Sequence, residues 1–250
     1  METEEPVIME TEEESTMQAE KPKKKEGKER KKKESEEGSS RFVNPRSISS
    51  RCRPSVVRDA LDKVRLVVSD GMMNELKTLN VDQFFALPPY PQDNVVTLQI
   101  LQCWIHEKMV FRLGGKELRI NPDEVALLVG MPNRGEVPKW KKVPSCGVDA
   151  RQMKADLLTF GTGESSAPFN QLYINYLLSN LFFPSSNFSV SKGLYIFGEN
   201  VDTFASFNWP AALCEYLIEQ INAVAIKIRR NRPLGYINGF LFLLTVSTSY

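Results

Sequence analysis

The sequence is poor in the residues from which reactive centres are built. One histidine, His106, stands in 250 residues, so a zinc site with two histidine ligands is excluded and any catalytic pair has a single imidazole to draw on. Cys52, Cys103, Cys146 and Cys214 are the four cysteines, far apart and without a Cys-x-x-Cys spacing. Neither a zinc knuckle nor a disulfide framework is signalled, and reduced thiols in an intracellular protein are expected. The longest apolar run, GFLFLLTV at 239–246, falls well short of the roughly 20 residues that span a bilayer, so no membrane partner is expected. METEEPVIMETEEE at the start is acidic where an export signal needs basic and apolar stretches, so no secretion is expected. Glycines at Gly-x-Gly-x-x-Gly or phosphate-loop spacing are also missing, and the isolated Gly-Thr-Gly at 161–163 is too short to hold a nucleotide.

What is present first is charge in blocks. The net charge of +1 conceals 13 acidic and 9 basic side chains in residues 1–40. Large apolar residues are almost absent from the first 50 positions, so this stretch cannot offset its ordering entropy by burial; residues 1–50 are expected to be a disordered tail. Within it, KPKKKEGKERKKK sets Lys21, Lys23, Lys24, Lys25 and Lys28 before Arg30, Lys31, Lys32 and Lys33. Two basic clusters at this spacing fit the acidic grooves of nuclear import receptors and also grip phosphates without specificity. A solvated, solubilising charge run is the other reading.

From residue 55 the pattern becomes helical. Val56, Val57, Ala60, Leu61, Val64, Val67 and Val68 recur at helical spacing until Ser69-Asp70-Gly71, and Met72, Met73, Leu76 and Leu79 mark a second helix. A turn near Phe84 and Phe85 precedes the proline stop LPPYPQ. Asp93 or Asn94 is placed to cap a third helix whose stripe runs through Val95, Leu98, Leu101, Trp104 and Ile105. On that helix Cys103 and His106 would share a face, but a metal or a nucleophile–base pair would need further ligands or an orienting group.

FRLGGKELRINPDEVALLVGMPNRG, residues 111–135, holds the densest local instructions. With Gly114-Gly115 as a two-residue hairpin loop, Leu113 faces Lys116, Arg112 faces Glu117, Phe111 faces Leu118 and Met109 faces Ile120, which gathers the apolar side chains on one face and pairs opposite charges on the other. Asn121-Pro122-Asp123-Glu124 then reads as a helix entrance and Gly130 as its left-handed exit, with Pro132 preventing continuation. The glycines thus have backbone reasons and need no phosphate.

Residues 133–168 are polar and loop-like apart from a short helix in DARQMKADLLTF. Trp140 between Lys139, Lys141 and Lys142 offers either a stacking platform for nucleic acid or a half-buried anchor. Apolar helices follow over Phe169–Phe183, around 189–197 and 201–207, and from Asn208-Trp209-Pro210 through Val224. This last helix ends in Lys227, Arg229, Arg230 and Arg232, cations that complement its dipole or bind a partner. The fold expected is mainly α, a multi-helix domain over 51–250 with one small β-hairpin at about 109–120 and a disordered N-terminal tail.

LQCWIHEKMVFRLGGKELRINPDEVALLVGMPNRG resembles the signature segment of the plant mobile domain family, also labelled aminotransferase-like. Trp104, Phe111, Leu113, Gly115, Val125, Gly130, Pro132 and Gly135 fit the family's places, while Glu124 stands where the family usually has aspartate. YLLSNLFFP and Phe207-Asn208-Trp209 are similar to its second half, the Asn-Trp form resembling transposon-derived relatives that carry a SUMO-protease-like domain. The resemblance spans about 55–246.

The resemblance implies a structural motif, not a catalytic one. It implies a noncatalytic, transposon-derived interaction module, located in the nucleus, acting in gene silencing or genome maintenance through protein partners or nucleic acid. The family's closing helix implies a longer C-terminus than STSY, so a truncated domain is expected, and the other reading is the N-terminal portion of a cysteine-peptidase protein lacking its catalytic domain. No cofactor and no small-molecule substrate are expected, because no lysine is marked for a pyridoxal Schiff base despite the aminotransferase-like label.

Overall fold

Pro54 starts the first helix because its missing N–H and fixed φ suit the first helical turn. The computed structural model describes residues 47–88, 90, 93–140, 145–160, 168–185 and 189–247; all belong to the unit Phe42–Tyr250. The basic segment Lys21–Lys33, Lys141, Lys142 and the 161–167 connector lie outside the described residues. In order come β1 (Ile48–Ser50), α1 (Pro54–Val64), α2 (Asp70–Thr78), a 3-10 turn (Asp82–Ala86), α3 (Asn94–Gln102), β2 (Trp104–Ile105), β3 (Val110–Leu113), β4 (Lys116–Leu118) and α4 (Pro122–Val129). The second half holds β5 (Ser145–Asp149), α5 (Ala150–Leu158), α6 (Phe169–Leu177) with a π turn (Leu178–Phe182), β6 (Ser189–Ser191), α7 (Lys192–Glu199), α8 (Val201–Phe204), α9 (Trp209–Arg229), β7 (Gly235–Ile237) and α10 (Phe242–Ser247). The mainly helical expectation holds.

Helix α6 is the centre of the core. All its residues except Asn170 and Gln171 are buried, and it touches α2, α5, α7 and α8. A helix buried on nearly every side has neighbours on nearly every side. Helix α9 crosses the other half, packing on α3, α4 and β7 and burying Trp209, Leu213, Leu217, Ile221 and Val224 on one stripe.

The hairpin forms in the expected register, Phe111 opposite Leu118, Arg112 opposite Glu117 and Leu113 opposite Lys116. Gly114 and Gly115 both take positive φ, 54° and 81°, as the two-residue turn demands. The expected Met109–Ile120 pair does not form: Met109 itself has a φ of 52° and belongs to the preceding turn.

Three local readings are corrected. Helix α3 stops at Gln102, and Trp104-Ile105 pairs with β3 as an extra strand, Trp104 opposite Phe111. Its buried face is therefore Thr97, Ile100 and Leu101, while Val95 is exposed. Ser69 does not merely break the first helix: its hydroxyl accepts from the Met72 amide and starts α2. Ile48–Ser50, at the end of the stretch read as tail, forms β1 and pairs in parallel with β7, Ile48 opposite Gly235.

Candidate functional site

The two segments that carry the resemblance, 101–135 and 207–209, meet at one junction. Asn133 Nδ2 donates to Asp123 Oδ1 at 2.6 Å and Asn133 Oδ1 accepts from Asn208 Nδ2 at 2.8 Å. Asn208 Oδ1 in turn accepts from the Ala211 amide at 3.0 Å, capping α9. Each amide group has one oxygen accepting and one nitrogen donating, so this relay fixes both side-chain orientations. Beside it the Asn208 amide donates to Glu136 O at 2.9 Å. Gly135 lies against the chain at Ser206, with a φ of 95°. A Cβ there would fall inside the van der Waals shell of Ser206 O, so glycine is required for the approach itself.

Trp209 follows as the anchor. Its ring is 1% exposed and stacks on Phe204 at 4.5 Å, and its indole N–H donates to Phe204 O at 2.8 Å. Phe183, Phe197 and Phe207 close around it. A buried tryptophan with its polar atom satisfied is a packing element.

The remaining signature residues serve the same end. Trp104 meets Phe111 edge-on at 4.7 Å, Leu113 packs partly buried against the core, and Gly115 completes the turn. Asn121 Oδ1 accepts from the Glu124 amide at 2.8 Å, so the Asn121 side chain caps α4 and Glu124, in its first turn, supplies the backbone N–H that is capped. Gly130 ends α4 with a φ of 69°, where Gln83 Nε2 donates to Val129 O at 2.7 Å. The sequence reading had no signal for Gln83, whose partner lies 46 residues away. Pro132 follows, half-buried, and leads to Gly135.

Cys103 and His106 do not share a helix. Cys103 ends α3, its thiol donating to Gln99 O at 3.3 Å, and His106 lies in the turn between β2 and β3. Trp104 Nε1 donates to Asn222 Oδ1 at 2.7 Å, and His106 Nδ1 lies 2.8 Å from the same oxygen. Because an indole N–H only donates, that oxygen is the acceptor, and His106 must carry its proton on Nδ1. The imidazole is thereby tethered to α9. Burial holds the Cys52 thiol far above its ordinary range and raises Cys214 to about 11, so neither is a ready thiolate. Among the described residues no group of three or more His, Cys, Asp or Glu is placed to hold a metal.

The charged groups divide unevenly. Arg229 makes a two-pronged contact with Glu107 at 2.7 and 3.1 Å, tying the end of α9 to the β2–β3 turn. The Arg229 hydrogen bonds pull the Glu107 carboxyl down to about 2. Lys108 and Arg112 both reach Glu117, at 2.8 and 3.2 Å, and lower its carboxyl as well. Lys227 donates to Leu234 O at 3.3 Å. Arg230 and Arg232 are exposed and carry no ion pair among the described residues.

Trp140 is half-buried and packs as an anchor. It packs on Phe183 at 4.5 Å and Tyr216 at 5.3 Å, and its carbonyl lies so close to Gly193 that an added Cβ would stand 2.7 Å from it. Among the described residues no helix is long and apolar enough to cross a membrane.

The family model described as Domain of unknown function (DUF8566) matches residues 50–245. No curated protein and no solved structure matches the chain.

Proposed function

We propose that this chain, which belongs to the DUF8566 family, is a noncatalytic nuclear interaction module, transposon-derived and related to the plant mobile domain. The observation that carries the noncatalytic part is the use made of the signature residues: Gly135, Asn208 and Trp209 build a packing junction around a fixed hydrogen-bond relay. The groups best suited to chemistry are likewise held in structural contacts. His106 is tethered to Asn222, and the Cys52 and Cys214 thiols are buried and raised. A nucleophile needs a base within hydrogen-bond reach. The one described thiol that is partly exposed, Cys103, instead donates a hydrogen bond to Gln99 O.

Nuclear location rests on the basic clusters Lys21–Lys25 and Arg30–Lys33, and gene silencing or genome maintenance through protein or nucleic-acid partners rests on the resemblance of 104–135 to the plant mobile domain. The test is a fluorescent fusion of the full chain in plant cells, beside one in which the tail lysines and Arg30 become glutamine. Nuclear accumulation of the first and its loss in the second are expected, with proximity labelling recovering nuclear proteins. A cytoplasmic distribution of the intact chain would overturn the reading.

A further inference from the structure

Tyr236 is an exposed aromatic that the packing of the fold does not need. It sits in β7 between Gly235 and Ile237, and while Leu234 and Ile237 are buried at 3% and 1%, the Tyr236 side faces outward at 50% exposure. Its hydroxyl makes no hydrogen bond to a described residue. The Arg51 guanidinium lies over one face of the ring at 3.6 Å, brought there because the Arg51 amide, just after β1, donates to Ile237 O at 3.1 Å. Four residues upstream, the Arg232 amide folds back onto Lys227 O at 2.9 Å and Lys227 Nζ holds Leu234 O at 3.3 Å. That closed corner keeps Arg230 and Arg232 on the same end of the molecule as Tyr236, with the Arg232 and Tyr236 backbones no more than about 14 Å apart by chain reach.

We propose that Tyr236, with Arg51, Arg230 and Arg232, forms a binding surface for single-stranded nucleic acid. A base stacks on the ring face that Arg51 leaves open, and Arg230 and Arg232 take the neighbouring phosphates. An aromatic face beside Arg230 and Arg232, which carry no ion pair among the described residues, is the combination that holds unpaired bases on a charged strand, since every base has a π-face and the stacking tolerates sequence. Guanidinium groups suit it twice, by cation–π contact with the ring and by forked hydrogen bonds to phosphate oxygens. Arg229 contributes no free charge, because Glu107 holds it in a two-pronged pair. The proposal rests on the reading of the chain as a nuclear interaction module and supplies the partner class for it.

The test measures fluorescence anisotropy with a labelled oligothymidylate of about 20 nucleotides, longer than the usual footprint of one such site. The protein is the full chain with its Lys21–Lys33 lysines and Arg30 changed to glutamine, so that the tail adds no phosphate contacts. Tyr236→Leu should weaken binding about tenfold, the effect of losing one stacked base. Tyr236→Phe should bind as the parent does, which separates stacking from folding. Arg230→Gln with Arg232→Gln should flatten the dependence of log K on log salt by about 1.4, at about 0.7 per contact for a single strand. Unchanged oligothymidylate binding in Tyr236→Leu overturns the proposal. So does binding to duplex DNA or anionic phosphatidylserine vesicles as tight as to the single strand and equally insensitive to Tyr236→Leu. If these variants bind normally while the intact chain is nuclear, this inference fails and the interaction-module reading stands. A cytoplasmic intact chain sinks that reading whatever the oligonucleotide does.

Discussion

Glycines of the signature segment separate into two physical kinds. Gly114 and Gly115 take positive φ in open space, with nothing within 4 Å of an added Cβ. Replacing Gly114 with alanine should therefore cost only the left-handed backbone penalty, about 1–2 kcal/mol. Gly135 adds a backbone carbonyl that cannot move aside, so Gly135→Ala should lose more than about 3 kcal/mol. Urea unfolding of the two variants checks the order, and equal losses would mean that the junction at Ser206 relaxes freely. Asn222 makes a second residue-scale case, since its one oxygen serves both Trp104 and His106. Asn222→Ala strands a partly buried indole N–H and an imidazole N–H, a loss of about 2 kcal/mol. Asn222→Asp, which keeps an acceptor oxygen, should lose less by the same measurement.

Elements whose instructions are local were legible in the sequence, and elements that depend on distant partners were not. The hairpin register, the Asn121 cap and the Gly130 exit are each decided within a few residues, and apart from the outer Met109–Ile120 pair all three form as read. Trp104 lies three residues after Leu101 and so fits a helical stripe; only pairing with Phe111 pulls it into β2. Ile48 pairs with Gly235 across almost the whole described chain, a contact that no window of the sequence encodes. The candidate site shows the same split. The basic end of α9 is visible as a charge run, whereas Tyr236 gains meaning only when β1 brings Arg51 over its ring. The tie between the β2–β3 turn and α9 yields a pH prediction. Glu107 has its carboxyl lowered from about 4.5 to about 2 by Arg229, so its contribution is present above the unfolded value and is lost as pH falls through the folded one. Acid titration monitored by circular dichroism should show stability declining from about pH 5 toward pH 2. Glu107→Gln should reduce the slope in that window and lower stability at neutral pH by the same small amount, because exposed pairs contribute little. An unaltered acid limb in the variant would mean that other carboxylates carry it.

At the scale of the whole molecule, the last elements of the described chain complete a core that its first elements begin. Strand β7 supplies the pairing partner of β1, and Ile237, Phe240, Leu241, Leu243 and Leu244 are each at most 4% exposed. Phe240 also reaches Phe182 of the π turn that continues the central helix, at 6.0 Å. Burying a large apolar side chain contributes about 1.5–3 kcal/mol, so five of them rival the entire stability of a domain, about 5–15 kcal/mol. Removing residues 235–250 should therefore leave a chain without a cooperative urea transition and with exposed apolar surface, whereas removing residues 1–46 should leave the transition midpoint of the remainder in place. Both variants can be followed by far-UV circular dichroism and by binding of a hydrophobic dye. The contrast discriminates because the two deletions remove different things: the first takes five core side chains and the partner of β1, the second stops short of Ile48, where the described core starts. A cooperative transition retained without residues 235–250 would show that β1, α1 and α9 close a core by themselves, and would reduce β7 and the surface around Tyr236 to an appendage.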